Sequence, residues 1–144
     1  MTVRAILEQK GSDVFTVRSD ANLETAAKQL SEHRIGALLV DDGKGRYTGI
    51  LSERDIVRAC ANHGIQALQL PVSKAMTTKV LHCSPQDNVH YVMEMMTRHR
   101  FRHVPVVNEA GDLVGIISIG DVVKRRIEQA EQETAEMIQY IATA

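Results

Sequence analysis

The sequence predicts an α/β (α+β) chain made of two copies of a β-α-β-β-α unit, followed by a helical extension. Three observations predict it. Residues 36–58 align with 102–124 without a gap and share seven identities: Val40 with Val106, Gly45 with Gly111, Gly49 with Gly115, Ile50 with Ile116, Ser52 with Ser118, Asp55 with Asp121 and Val57 with Val123. Each aligned block contains two apolar runs around a turn-rich stretch, and each follows a segment of helical periodicity. At 144 residues the chain holds two units of roughly 60 residues. Units that small bury only about 60% of their unfolded surface, so they are expected to dock.

Taken in order, "DVFTV" and "KVLHC" read as short strands opening the two copies. The helix "NLETAAKQLSEHR" places Leu23, Ala26, Ala27 and Leu30 at i, i+3, i+4 and i+7, and its counterpart places Val89, Val92, Met93 and Met96 likewise. "ALLV" and "YTGIL" around "DDGKG", and "HVPVV" and "LVGII" around "NEAGD", read as β-hairpins. A second helix follows each hairpin. In the first copy Ile56, Val57 and Cys60 share its expected inner side, and Gly64 marks its end. "VRAIL" near the start resembles "VSKAM" at 72–76, four residues out of register. The expected division is 3–66 for the first unit, 72–130 for the second and 131–144 for the extension, with a linker near "HGIQALQLP". Two like units packed about a pseudo-twofold axis would enclose a groove, a common place for a ligand.

Composition narrows the function. A net charge of −1 argues against broad electrostatic binding of nucleic acid, and aromatics are only 3% of the chain. Cys60 and Cys83 are too few for a disulfide framework or a zinc site, and both read as small buried hydrophobes. The start "MTVRAILEQKGSDVF" lacks the pattern of a signal peptide, and no stretch approaches the roughly 18 apolar residues of a membrane span. The default expectation is a cytoplasmic protein.

The repeated element is "GILSERD" at 49–55 and "GIISIGD" at 115–121. A serine leaving a strand, an acid three residues on and then an apolar run form a capping box. On that motif alone capping is the leading reading, and a duplicated cap would look the same. Two details lean toward a ligand: both copies carry aspartate where a capping box favours glutamate or glutamine, and Gly120 sits inside a first helical turn at a cost of about 1 kcal/mol.

The duplicated plan, with these two motifs and "HRFRHVPVV" before "GDLVGIIS", resembles the cystathionine β-synthase (CBS) domain family, whose tandem pair is called a Bateman module. The resemblance spans roughly 3–62 and 72–130. It implies a regulatory, energy-sensing module for an adenosine-containing ligand: AMP first, with ATP, ADP, NAD(H) or S-adenosylmethionine behind it. By motif, Asp55 and Asp121 become ligands of the ribose hydroxyls, with Ser52 and Ser118 beside them. Adenine would meet Thr16, Val17, Ala37 and Leu38 in one copy, and His82, Cys83, Val104 and Pro105 in the other. Ordinary core is the competing reading for Val17, Leu38 and Val104. Arg102 and His103 match basic positions that serve phosphate in nucleotide-binding members, whereas the first copy has Gly36 and Ala37 there. Arg54 and Arg58 are weaker phosphate candidates, because arginines early in an exposed helix are more often solvated.

Other chemistries find little support. His99 and His103 are four apart but straddle a helix end and a strand start, which argues against a metal site. "RHRFRH" has one aromatic, and Phe101 aligns with Ile35 as core, so nucleic acid is not expected. No phosphate loop, nucleophile elbow or clustered acid–base pair appears, so an enzyme is not expected. The tail "RRIEQAEQETAEMIQYIATA" continues the last helix with Ile127, Ala130, Thr134, Ile138 and Ile141 near one stripe. It would cover the chain's own core or meet a second subunit, and "VRAIL" would pack alongside. The resemblance implies a homodimer that signals to a separate effector protein. The alternatives are an interaction or scaffold protein with empty grooves, or a small nucleic-acid-binding protein using the basic run.

Overall fold

A computed structural model of the chain describes residues 1–143. Ala144, the last residue of the expected extension, lies outside the described residues. The elements are α1 (Val3–Lys10), β1 (Thr16–Arg18), α2 (Leu23–His33), β2 (Ala37–Asp41), β3 (Tyr47–Ser52), α3 (Glu53–His63), α4 (Val89–His99), β4 (His103–Val107), β5 (Leu113–Ser118) and α5 (Ile119–Thr143). The chain is α/β, as its sequence predicts.

Two compact units are present: residues 13–81, and residues 1–12 together with the described residues from 82 onward. The opening segment of each sequence repeat therefore packs with the other repeat's sheet. The pairing that anchors it is the same in both units. Asn22 bridges Pro71 in one, with Leu23 N–H donating to the Leu70 carbonyl; Asn88 bridges Thr2 in the other, with Val89 N–H donating to the Met1 carbonyl. Thus α1 stands to its unit as residues 71–76 stand to theirs. That equivalence accounts for the out-of-register likeness of "VRAIL" and "VSKAM".

In the 13–81 unit, β1 runs parallel to β2, and β2 runs antiparallel to β3. Asn22 caps α2 through its side chain, which accepts from Thr25 N–H at 2.9 Å. Leu23, Ala26 and Leu30 of α2 are buried and meet Val17, Leu38, Val40 and Leu51 in one core. The stretch expected as a linker is part of this unit: Gly64–Gln69 forms a 3₁₀ turn whose Ala67 is fully buried. The inner side of α3 also differs from expectation. Asp55 and Ala59 are buried and Ile56 packs on the core, whereas Val57 is 67% exposed and Cys60 is exposed. Pinning Asp55 inward at the helix start turns Val57 and Cys60 outward, two and five residues on at 100° each.

The second unit repeats the plan with one strand missing. "KVLHC" forms no strand; Cys83 alone bridges Val106, and its amide donates to the Pro105 carbonyl at 3.0 Å. The cause is Pro105. The equivalent residue of the first repeat, Leu39, donates its amide to the Phe15 carbonyl at 3.1 Å, and proline has no N–H to give. Val89, Val92 and Met96 of α4 are buried with Val3 and Ile6 of α1, Val104, Val106 and Ile117 of the hairpin, and Val122 of α5. Arg125 of α5 donates to Gln9 at 2.6 Å, so the N-terminal segment does lie along the last helix.

The repeated glycines of the motif have a structural cause. A Cβ on Gly49 would stand 2.6 Å from the Thr77 carbonyl oxygen, because Ile50 and Thr77 exchange backbone hydrogen bonds across β3. A Cβ on Gly115 would meet the Leu7 side chain at 2.7 Å. The first obstacle is backbone and the second is the flexible end of a side chain. Gly49→Ala is therefore expected to lower stability by about 1–3 kcal/mol, and Gly115→Ala by clearly less. Urea unfolding of the two variants measures this, and equal losses would contradict the contact analysis.

Candidate functional site

Hairpin register brings the motif residues together in each unit. Ala37 faces Ser52 across β2 and β3, and Gly36 accepts from the Glu53 amide at 2.9 Å. Thr16 and Val17 face Leu39 and Val40, so β1 lies beside the Leu39–Asp41 part of β2, with Thr16 at the side nearer Ala37 and Leu38. In the other unit His103 faces Ser118, and the Arg102 carbonyl accepts from Ile119 N–H at 2.8 Å. Arg102 and His103 thus sit where the chain enters β4, next to the start of α5, and Cys83 lies on the neighbouring chain through its bridge to Val106.

At both strand–helix junctions the capping box is formed. The Ser52 amide donates to Asp55 Oδ2 at 2.9 Å and the Asp55 amide to Ser52 Oγ at 3.3 Å. The Ser118 amide donates to Asp121 Oδ2 at 2.8 Å and the Asp121 amide to Ser118 Oγ at 3.2 Å. Aspartate closes the box despite its shorter reach. Each carboxylate uses Oδ2 for the cap. Asp55 Oδ1 meets the Arg58 guanidinium at 3.4 Å, and Asp121 Oδ1 makes no hydrogen bond among the described residues.

The environments of the two acids differ. Asp55 is 6% exposed, and Arg58 beside it is an outward-reaching side chain. Asp121 receives Lys10 Nζ from α1 at 2.7 Å, and the same ammonium donates to the Ile116 carbonyl at 2.8 Å. Burial pushes the Asp121 carboxyl up, but the Lys10 hydrogen bond, the Ser118 amide and the Lys10 charge outweigh it, and the group titrates below its ordinary value of 3.8. Asp121 opens onto a depression of ≈ 300 Å³ shared with Lys10, Lys124 and Arg125. Lys10 carries no signal in the sequence; it lies 111 positions from Asp121, and only the packing of α1 joins them.

The remaining candidates divide into core and surface. Val17, Leu38, Cys83 and Val104 are buried in the two cores, and Ala37 and Pro105 are buried as well. Burial and the Asp87 charge push the Cys83 thiol up to about 12, so it behaves as an apolar filler. Thr16, Arg54, His82 and Arg102 are exposed, and the Thr16 carbonyl accepts from Gln29 at 3.3 Å. Among the described residues no three His, Cys, Asp or Glu side chains are grouped as a metal site, and no helix is long and apolar enough to cross a membrane.

Two like units, each with a hairpin joined to a helix through a Ser–Asp junction, define a duplicated α/β repeat protein. The CBS domain matches residues 3–62 and 72–128, and the chain belongs to the CBS domain family. The CBS-domain protein ATU1752 from Agrobacterium tumefaciens is 49% identical, with a TM-score of 0.83 over 87% of this chain and 98% of that one. The CBS domain pair of protein MJ0100, in complex with 5′-methylthioadenosine and S-adenosyl-L-methionine, is 26% identical with a TM-score of 0.79, over 90% of this chain and 98% of that one. The CBS domain protein PAE2072 from Pyrobaculum aerophilum, complexed with AMP, is 32% identical with a TM-score of 0.71, over 84% and 89%.

Because the folded pKa of Asp121 lies below its unfolded value, the group stabilises the fold above pH 3.8, and this contribution is lost as pH falls through the folded value. Lys10→Met leaves burial opposed only by Ser118. The Asp121 carboxyl is then expected to titrate at higher pH, followed by carboxyl ¹³C shifts, and acid is expected to remove less stability than in the parent. An unmoved titration would show that Lys10 does not hold Asp121 in solution.

Proposed function

We infer that the chain is a regulatory module that binds an adenosine-containing ligand through the carboxylates Asp55 and Asp121, with AMP as the first choice. The observation that carries this reading is the division of labour within each carboxylate. A carboxylate accepts at about four lone-pair sites. Oδ2 alone closes the helix cap, and Oδ1 is left with a long contact to an exposed arginine in one unit and with no hydrogen bond in the other. Capping therefore does not compete with ribose binding; it aims the second oxygen. Two adjacent ribose hydroxyls suit such an acceptor, and charge-assisted bonds are the stronger kind.

The buried side chains refine the adenine contacts. Val17, Leu38, Cys83 and Val104 face their cores, so adenine would read backbone groups and the edges of the strands at these positions. Arg102 at the entry to β4 is the residue best suited to phosphate, and the first repeat, with Gly36 and Ala37 in its place, would accept a nucleoside portion or lean on Arg54. The structures of relatives with AMP, 5′-methylthioadenosine and S-adenosyl-L-methionine support the ligand class. Signalling follows from differential affinity: a ligand that binds one conformation of the pair more tightly shifts the population toward it. The reading includes a homodimer and a separate effector protein, and no catalytic step.

A ligand present at a hundredfold excess over its dissociation constant adds about 2.7 kcal/mol to stability, which raises the midpoint of a domain this size by roughly 5–10 °C. AMP is expected to produce such a shift, reduced in Asp121→Ala and in Arg102→Ala. Stabilisation by AMP that is unchanged in both Asp55→Ala and Asp121→Ala would reject the site. The absence of a shift with AMP, ATP, ADP, NAD(H) and S-adenosylmethionine would favour an interaction protein whose Ser–Asp pairs are caps alone. Salt-sensitive RNA or DNA binding without a nucleotide shift would favour a nucleic-acid-binding protein.

A further inference from the structure

The last helix carries an apolar face that its own unit does not use. Val122 is fully buried and Arg125 reaches Gln9 of α1, so the inner face of α5 passes through these positions. On the other side Val123, Ile127, Met137 and Ile141 are 48%, 54%, 66% and 68% exposed. From residue 131 to residue 143 every position is exposed. Val123, Ile127, Ala130, Thr134, Met137 and Ile141 follow spacings of four, three, four, three and four. That is the a/d seam of a coiled coil, with Ile127, Thr134 and Ile141 at a and Val123, Ala130 and Met137 at d.

Size and charge together select the occupant. When α5 lies antiparallel to a copy of itself, with the twofold axis between residues 128 and 129, Gly120 faces Met137, Val123 faces Thr134 and Ile127 faces Ala130. Two of these layers join a larger residue to a smaller one, Val123 and Thr134 are similar in size, and Ile141 lies beyond the overlap of the two helices. A Cβ on Gly120 would meet nothing nearer than Ser118 Oγ at 3.6 Å, so there is room for the methionine. A parallel pair would instead stack Gly120 on Gly120 and Ala130 on Ala130, leaving voids. In the antiparallel register the flanking positions join Lys124 to Glu131 and Arg126 to Glu133, four opposite-charge pairs in all by symmetry. None of Lys124, Arg126, Glu131 and Glu133 makes an ion pair among the described residues. The basic start and acidic middle of α5 are complementary to a reversed copy of the same helix.

We propose that α5 is an interaction surface for a second copy of this chain, paired antiparallel through the Gly120–Met137 seam. This deepens the homodimer included in the preceding reading and does not depend on nucleotide binding. Gly120, whose place in a first helical turn is unfavourable, becomes the socket for the partner's methionine side chain.

Sedimentation equilibrium of the full chain tests it. The parent is expected at twice 16.0 kDa, and Ile127→Glu with Met137→Glu at the monomer mass, with the far-UV circular dichroism of the folded chain retained because both positions are exposed. Lys124→Glu with Arg126→Glu is expected to weaken association about tenfold or more, and adding Glu131→Lys and Glu133→Lys to restore it. Orientation is read by oxidative cross-linking in a Cys60→Ser background. Val123→Cys and Thr134→Cys chains should each stay uncross-linked alone and form a disulfide dimer when mixed. A dimer that survives the glutamates would overturn the seam and leave the homodimer reading intact; a monomeric parent would overturn both. Disulfides within either single variant alone would overturn the antiparallel arrangement. AMP-induced stabilisation, followed in the same samples, tests the nucleotide reading separately.

Discussion

The structure depends on one hydrogen-bonded exchange, made twice: a serine amide to an aspartate Oδ2, and the aspartate amide back to the serine hydroxyl. It fixes the angle at which each hairpin hands over to its helix. With that angle set, Ala37 lies across from Ser52 and His103 across from Ser118, so the start of the first hairpin strand lies beside each helix start. Moving the acid would break the cap and displace these residues together. The repeat thus joins a local need, closing a helix start, to the position of the candidate site.

The same junction explains why a binding acid and a structural acid are hard to tell apart in sequence. Capping and ligand binding ask for the same residues at the same spacing. Only the folded structure separates the two oxygens of each carboxylate and shows that the cap uses one of them. Asp55 makes the point by its burial: a carboxylate 6% exposed must be hydrogen-bonded to be tolerated, and it is, through the Ser52 amide and Arg58.

Much of the fold was legible because it rests on local signals. The period of Leu23, Ala26 and Leu30, and of Val89, Val92 and Met96, returned both inner helices with their buried faces, and Asn22 and Asn88 cap them. Turn residues returned both hairpins. What escaped the sequence is non-local or depends on an absent atom. The strand expected at "KVLHC" fails for want of one amide hydrogen, on a proline more than twenty residues downstream. The stretch expected as a linker is held by the burial of Ala67, a residue too small to stand out in a hydrophobic pattern. Val57 and Cys60 read as inward because they are apolar, but the pinned aspartate sets the helix phase and turns them out. Within the candidate site, Arg102 and His103 could be found by alignment of the repeats, whereas Lys10 could not, since α1 packs with the sheet of the later repeat.

That packing also breaks the symmetry of the duplication. The two motif acids descend from one pattern, yet one lies against an arginine of its own helix and the other against a lysine from the start of the chain. An ammonium with two acceptors, Asp121 and the Ile116 carbonyl, neutralises that carboxylate and is held within a turn of the α5 start. Under the proposed function, a ligand hydroxyl approaching Asp121 would meet the Lys10 ammonium beside the acceptor. In the first repeat the entry to β2 has only Gly36 and Ala37, and Arg54 and Arg58 stand on the exposed side of α3. If both repeats bind as proposed, unequal charge at equal geometry would let them prefer different ligands, because the sugar contacts would stay constant while the balance of charge around them changes.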